Sequence, residues 1–575
     1  MTSGAMTSGA KTSGAMTGTK INPIFRLMPS LTDVAFLMPL VFLFTRMQGV
    51  QSMLGDGDTG WHIRTGEWIL AHHRVPHQDL FSYTMPGKAW FAWEWLWDLG
   101  AGWLHQRWGL AGVVLVSMFV ICLTSALLYR VIERRCGNPL VAIGFTVLAT
   151  AVETIHWLAR PHLFTMLFLV IFIAIIDHAR EGRMKLLWWL LPLTLVWANV
   201  HAGFFIGVVI LGAYAAGELV NLVTTATGRE ERWASVRAAV PYALAAAGCL
   251  AASLVNPYTY QLHKHIYDYV HDPNTLRNIS EFQAANFQES GAGFLEVLAL
   301  LALGAALWNG LHRRFGETIL VLGWLHLALL SARNIPLFAI VAAPIAAAAL
   351  VEWIAVFRHA RVAAWLRALA EGMASAGAEI RPLDQLWRMH LVGAAALIVV
   401  GLGMASPGAG KMLKPEYDAQ QFPARALATI DPRQRVFTSD QWGDYLIYQH
   451  APQGAKVFFD GRSDFYGGKF CQEYMDVVNV KYNWERTLDR YGVTTVLLSP
   501  DAALAGAIKE SGHWRVAYDD GKSIVFRLAE SAAGRGEQAS TGGTGGRRRD
   551  PSITALSPSV HPEDHVFQSI GVSPL

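Results

Sequence analysis

Charge is scarce in this chain. Only 16% of its 575 residues are Asp, Glu, Lys or Arg, whereas 53% are hydrophobic; a soluble globular protein carries about 25% charged residues. That shortage points to lipid. The net charge of +3 is too small to recruit nucleic acid, and none is expected as a partner. Cysteine is equally sparse, with Cys122, Cys136, Cys249 and Cys471 only. On the topology below only Cys471 lies in an external domain, so no intrachain disulfide is expected there. CxxC and Cys/His zinc spacings are missing, which argues against thiol-based chemistry. The N-terminal MTSGA repeat has nothing to bury and is expected to be disordered over residues 1–30. The short apolar core and small-residue cleavage site of a removable signal do not follow directly, so the first apolar segment reads as a retained anchor.

Long apolar runs are what the chain has in quantity. A helix crosses the hydrocarbon with about 20 mostly apolar residues. Eleven segments come near that: 34–50, 108–132, 140–157, 163–176, 186–199, 204–223, 238–255, 291–308, 318–331, 336–356 and 391–405. The connections holding Glu133-Arg134-Arg135, Arg180 to Lys185, Arg229 to Arg237, His312-Arg313-Arg314 and Arg358 to Arg388 are basic. Each follows an even-numbered segment. The positive-inside rule then puts the N-terminus and all five connections in the cytoplasm, and an odd number of spans leaves the C-terminal part outside. The expected fold is mostly α: a polytopic transmembrane bundle over 31–410, with a C-terminal extracytoplasmic α/β domain over 411–530 and a disordered Gly/Ser/Pro-rich tail over 531–575.

The α/β assignment rests on short β-rich runs at 435–439, 456–460, 495–499 and 523–528, alternating with helical patterns at 441–450, 484–491 and 502–511. Ser439 to Tyr445 and Asp460 to Tyr466 follow predicted strands. Loops in that position often bind ligands, but Asp and Gly also dominate turns, and the reading favours turns that dock the domain on the membrane part. The first external loop, 51–107, is long, and its stretches 61–71 and 90–105 read as Trp-rich interfacial helices. A second external loop covers 256–290.

The densest polar motif is Gly55-Asp56-Gly57-Asp58-Thr59-Gly60-Trp61-His62. Its letters fit G-x-G-x-x-G, but a dinucleotide site needs a preceding strand in a βαβ unit, and here a membrane segment precedes. Two readings stand for Asp56 and Asp58: a general base or a pair of hard oxygen ligands for a divalent cation such as Mg or Mn, or caps on a helix N-terminus. A helix starting near Thr59 would place Asp58 and His62 one turn apart. Glu94, between Trp93 and Trp95, is a second acid or a solvated break in an aromatic belt. Glu153, His156, Arg160, His162, Asn199, His201, Asn256, Arg333 and Asn334 fall near the outer ends of the segments. Arg in hydrocarbon costs about 2.5–3.5 kcal/mol. Snorkelling relieves that cost for one residue; it explains less well why nearly charge-free turns keep Arg beside His or Asn. Arg forks suit phosphate oxygens.

The run Asp56-x-Asp58-x-x-x-His62, with Gly66-Glu67-Trp68-Ile69, Val75-Pro76-His77-Gln78-Asp79 and Trp93-Glu94-Trp95, resembles the first external loop of bacterial GT-C superfamily membrane glycosyltransferases. The resemblance implies transfer of a sugar from a polyprenyl-phosphate or polyprenyl-pyrophosphate carrier to a lipid, glycan or protein acceptor, outside the bacterial cytoplasmic membrane. It gives Asp58, or Asp56 as its close rival, the role of base or metal ligand. His62 and Glu94 would orient acceptor or sugar. Arg160 and Arg333, with His162, His201, Asn256 and Asn334 around them, would hold the lipid phosphate. Trp442-Gly443-Asp444-Tyr445 is loosely similar to the tryptophan-aspartate motif of oligosaccharyltransferase catalytic subunits; the residue order differs, and no peptide-binding role is carried over. A flippase for lipid-linked glycans and a non-catalytic glycan-assembly protein are the rival functions. The first would usually show two related halves, which this sequence lacks; the second needs no convergence of acid, His and Arg.

Overall fold

The computed structural model describes residues 26–224, 228–289, 291–386 and 388–529. Most of the expected N-terminal disorder and all of the expected disordered tail lie outside the described residues.

The chain opens with α1 (Leu31–Thr45), capped by Ser30 and Asp33 in a reciprocal box. Then come α2 (Asp58–His72) and α3 (Trp95–Cys136). The bundle continues through α4 (Pro139–Glu153), α5 (His162–Arg180), α6 (Leu190–Val200), α7 (Phe205–Thr224) and α8 (Arg229–Ala252). Two short helices, α9 (Tyr260–Val270) and α10 (Pro273–Asn278), build the second long loop. After them run α11 (Ala292–Leu311), α12 (Phe315–Leu330), α13 (Ile335–His359), α14 (Ala364–Asp384) and α15 (Leu391–Ala405). Among the described residues seven helical stretches are long and apolar enough to cross a membrane, and four shorter apolar ones accompany them. These coincide in position with the eleven apolar segments. Helices α8, α11 and α15 leave Leu244, Leu300, Leu307, Ile398 and Val399 more than half exposed. An apolar outer surface on helices whose backbone bonds are internally satisfied suits lipid; the chain is a multi-pass membrane protein.

The end of the bundle opposite the first loop is tied by ion pairs. Arg135 meets Asp177, Arg180 meets Glu317, Arg314 meets Glu352, and Arg381 meets Glu133. Four of the five basic connections therefore meet there. The Arg358 to Arg388 connection is not a plain loop, since it holds the amphipathic α14.

The stretches expected at the lipid surface are internal. Helix α2 has Asp58 to Ile63, Thr65, Gly66 and Ile69 buried. It crosses α3 where Gly66 and Gly102 meet backbone to backbone. The second stretch begins as a helix only at Trp95 and continues into the spanning part of α3 through a kink at Gly109, whose φ of +60° and ψ of −156° suit only glycine.

The C-terminal domain holds α16 (Ala424–Leu427), β1 (Val436–Phe437), α17 (Asp440–His450), α18 (Ser463–Tyr466), α19 (Gly468–Val478), α20 (Trp484–Arg490), β2 (Thr495–Leu498), α21 (Ala503–Ser511), β3 (Trp514–Asp519) and β4 (Ile524–Leu528). The sheet order is β1-β2-β4-β3, parallel at β1–β2 and antiparallel elsewhere. The run 456–460 is not a strand of this sheet. Val457 bridges instead to Ser82 of the first loop and to Val436, so the loop and the domain share backbone pairing. The helix expected over 441–450 is α17, which takes in most of Ser439 to Tyr445 as well, so that stretch is a helix start and not a turn, and it docks on the first loop. Strand β3 and helix α19 escape the sequence reading: β3 alternates Trp514, Val516 and Tyr518 with Arg515, Ala517 and Asp519 over only six residues and is largely exposed, and α19 follows a Gly-Gly step that reads as loop.

Candidate active site

Gly57 stands at the N-cap of α2 and Asp58 is its first residue, so the helix dipole faces the Asp56–Asp58 step. Asp56 Oδ1 accepts the Asp58 N–H at 2.8 Å. That is the capping contact expected of this motif, but the other oxygens are turned elsewhere. Arg160, in the turn between α4 and α5, gives Nη1 to Asp56 Oδ2 at 2.6 Å and Nη2 to Asp58 Oδ2 at 2.7 Å. The same Nη1 reaches Glu281 Oε1 at 3.1 Å. Glu281 lies in the second long loop and also faces Arg333 Nε at 4.0 Å. Ser331 Oγ donates to the Glu281 carbonyl and Ala332 N–H to the Gln283 carbonyl, which hold this loop against the turn before α13. Residues from four distant stretches thus form one chain of charge: Asp58, Asp56, Arg160, Glu281, Arg333.

The glycines of the motif serve packing. A Cβ on Gly57 would lie 2.4 Å from the Gln441 carbonyl oxygen, and one on Gly60 would lie 2.7 Å from Tyr448 Cβ. Helix α17 therefore rests directly on the start of α2. Gly57 N–H donates to Gln441 Oε1 at 2.8 Å, and Arg64 Nε donates to the Tyr448 carbonyl at 2.7 Å. This seating brings Asp444, fully buried, beside Asp58, with Asp58 Oδ1 and Asp444 Oδ2 both buried and without a hydrogen-bond partner. Asp444 Oδ1 accepts from Gly461 N–H at 3.0 Å. Nearby, the buried Arg462 meets Asp460 at 2.7 Å and Asp79 of the first loop at 2.9 Å, with its guanidinium over Trp90 and Phe81.

A second polar group lies one helical turn on. His62 Nδ1 is 2.6 Å from Asp98 Oδ1, and its Nε2 is 3.6 Å from Glu94 Oε2. Glu94 Oε1 is 3.5 Å from His201 Nε2. His201 Nδ1 is fixed by Thr165 Oγ1 at 2.8 Å and by Gly203 N–H. Glu94 is buried, so it is no solvated break in an aromatic belt.

Burial sets the protonation of these groups. It raises Asp58 to about 7, although Arg160 pulls the other way and Asp56 adds to the rise. It raises Glu94 to about 8. Asp444 is pushed well above the carboxylate range by burial and by the adjacent Asp58. Burial and the Arg160 charge keep His62 neutral, and burial with Arg333 lowers His201 to about 3. Burial opposes the charge on Glu281 too, but Arg160 and Arg333 outweigh it and hold this carboxyl below its usual range. The outcome is a neutral acid and imidazole group beside a charged Asp–Arg–Glu–Arg chain.

The remaining expected residues have other partners. His162 Nε2 faces the His156 carbonyl at 2.6 Å. Asn256 shapes a turn, bonding the carbonyls of Ser253 and Thr259 and the N–H of Tyr258. Asn334 reaches the Leu327 carbonyl at 3.3 Å. Their hydrogen bonds fold the turns that carry Arg160, Tyr258 and Arg333, and His162 also stands close enough to Glu281 to favour its charge. Glu281, Asp98 and Asp444 were not among the expected residues. Glu281 is the sole acid between Asp272 and Glu289, a signal that was available.

As a divalent-cation site the donor set fits poorly. Asp56 and Asp58 each direct an oxygen to Arg160, and among the described residues no three His, Cys, Asp or Glu side chains converge as a metal set. No step below is routed through a metal.

No family model matches the chain, and no curated protein matches it. Solved structures are similar in fold. The archaeal oligosaccharyltransferase AglB from Archaeoglobus fulgidus, in complex with an inhibitory peptide and a dolichol-phosphate, is 13% identical, with a TM-score of 0.48 over 87% of this chain and 74% of that one. ArnT from Cupriavidus metallidurans in the apo state is 16% identical, with a TM-score of 0.44 over 87% and 97%. ArnT bound to undecaprenyl phosphate is 14% identical, with a TM-score of 0.41 over the same shares.

Proposed function

We propose that this protein is a membrane glycosyltransferase that moves a sugar from a polyprenyl-phosphate or polyprenyl-pyrophosphate carrier to an acceptor hydroxyl on the outer side of the bacterial cytoplasmic membrane. The observation that carries the reading is Arg160, whose guanidinium touches Asp56, Asp58 and Glu281 together, with Arg333 on the far side of Glu281. A base and two phosphate-compatible cations stand side by side at the end of the bundle opposite its basic connections. Asp56 and Asp58, two of the groups that Arg160 touches, belong to the first-loop motifs that resemble those of GT-C enzymes.

In this mechanism the acceptor oxygen attacks the anomeric carbon as the bond from that carbon to the carrier phosphate breaks. The hydroxyl proton passes to Asp58, whose pKa of about 7 suits a base near neutral pH. The electron pair of the broken bond leaves on the phosphate. Arg160 and Arg333 stabilise that charge as it develops, which requires Arg160 to exchange part of its carboxylate contacts for phosphate oxygens. The phosphate leaves without protonation, so no general acid is required. Glu94, neutral at pH 7, donates a hydrogen bond to the sugar or acceptor, and His62 and His201 hold it in place.

The test uses the purified protein in lipid nanodiscs with a set of radiolabelled polyprenyl-phosphate hexoses and pentoses and a membrane extract as acceptor. Transfer releases free polyprenyl phosphate, and Asp58→Asn stops the release while the melting transition stays in place. Passage of intact carrier between leaflets of proteoliposomes, without release, would instead establish a flippase. Unchanged turnover in the Asn variant would remove Asp58 from its role.

A further inference from the structure

We infer that Asp444, supplied by the C-terminal domain, is a positioning residue for the candidate base: it carries the one proton of an Asp444–Asp58 pair and donates it to the Asp58 carboxylate. The inference deepens the transferase reading and rests on it for its kinetic arm only.

The geometry is specific to two oxygens. Asp58 Oδ1 and Asp444 Oδ2 are both sealed from solvent, and neither has a hydrogen-bond partner. Each lies within 3 Å of the point where a Cβ on Gly461 would stand, at 1.9 Å and 2.9 Å. Two carboxyl groups so enclosed cannot both be ionised, because like charges in a low-dielectric site repel strongly. A single proton between these two oxygens would satisfy both at once.

The surrounding charges decide which residue holds that proton. Asp58 Oδ2 faces the Arg160 guanidinium at 2.7 Å, so the negative charge rests on Asp58. Asp56 and Glu281 also face Asp58, and Arg160 neutralises both in part. Among the described residues no cation is paired with Asp444. Its neighbours are Asp460, whose charge is matched by Arg462, the Gly461 N–H, and the Tyr417 ring. Asp444 is therefore the acid and Asp58 the acceptor, and the bond pins Asp58 Oδ1 while Oδ2 stays with Arg160. The candidate base is held from two sides, by the bundle and by the domain.

An asparagine at 444 reproduces this arrangement. Its Oδ1 can accept from Gly461 N–H and its Nδ2 can donate to Asp58, whereas leucine fills similar space and donates nothing. Asp444→Asn is expected to keep kcat within a few-fold of the native value. Asp444→Leu is expected to lose about 100-fold in kcat, the scale of a base displaced by about 1 Å, with donor KM unchanged because Arg160 and Arg333 remain. A second arm needs no turnover. The infrared difference spectrum of native protein minus Asp444→Asn at neutral pH should show the C=O stretch of a protonated buried carboxyl group, shifted in D2O. Survival of that band in the Asn variant, equal damage from Asn and Leu, or native kcat in the Leu variant would each overturn the inference. If native protein transfers no sugar, the kinetic arm fails with the transferase reading, while the band still decides the proton.

Discussion

Gly461→Ala is the most incisive perturbation of this site, because a single methyl group is aimed at the carboxyl pair. Its carbon would stand 1.9 Å from Asp58 Oδ1 and 2.9 Å from Asp444 Oδ2. Non-bonded carbon and oxygen atoms require more than about 3 Å, so Asp58 must withdraw by about 1 Å or α2 and α17 must part. A displacement of that size at a reacting group costs on the order of 100-fold in rate. Overpacking of a close-packed interior costs about 1–3 kcal/mol in stability, which is measurable without unfolding the protein. The natural control is Gly506→Ala in α21 of the same domain, where nothing lies within 4 Å and alanine favours the helix by about 1 kcal/mol. The assay is release of polyprenyl phosphate at saturating donor, read beside the melting temperature. A Gly461→Ala protein that turns over at the native rate would show that Asp58 and Asp444 are not positioned against the chemistry, and the placement of the base would fall with it.

Arg462→Ala leaves Asp460 and Asp79 buried without their cation; breaking such a pair costs about 3–5 kcal/mol, and limited proteolysis should show the C-terminal domain loosened from the first loop. Arg160→Ala is expected to lower kcat by about 10²–10³-fold, whereas Arg333→Ala, whose side chain is 34% exposed, is expected mainly to raise donor KM; the reverse pattern would exchange their roles. Above about pH 7 the imidazole contributions to stability have saturated, while Asp58 and Glu94 still titrate at about 7 and about 8. Both are raised above their unfolded values, so the stability they contribute is full at acid pH and is lost as pH rises through the folded values. The melting temperature should therefore fall between about pH 7 and about pH 9, and the Asp58→Asn, Glu94→Gln double variant should flatten that slope.

The transmembrane plan was legible because hydrocarbon demands a long apolar run from each helix, and the basic connections mark one end of the bundle. Asp56, Asp58, His62, Glu94, Arg160 and Arg333 were visible for a related reason: a polar side chain near the end of an apolar segment needs partners. What those partners are was not visible. Asp98 occupies a Trp-rich stretch that reads as interfacial, because local pattern cannot tell a helix packed inside the protein from one lying on lipid. Asp444 sits in Trp-Gly-Asp-Tyr, whose composition suits a turn. Its importance comes from α17 seating on Gly57 and Gly60, a contact between parts of the chain that no local window spans. Asn256 and Asn334 stand out for polarity, but Asn256 shapes a turn, a common use of asparagine, and Asn334 ties the turn before α13 to the Leu327 carbonyl.

The hydrogen bond from Gly57 to Gln441 joins positions 384 residues apart, and this has a consequence for biogenesis. During synthesis the acidic loop leaves the ribosome first, and the helix that covers it is made only after all the intervening membrane helices. A nascent or truncated chain can insert into the bilayer while its acidic centre stands open and unformed. A chain that lacks α17 cannot bring Asp444 to Asp58, so the acidic centre is complete only once the C-terminal domain has been made.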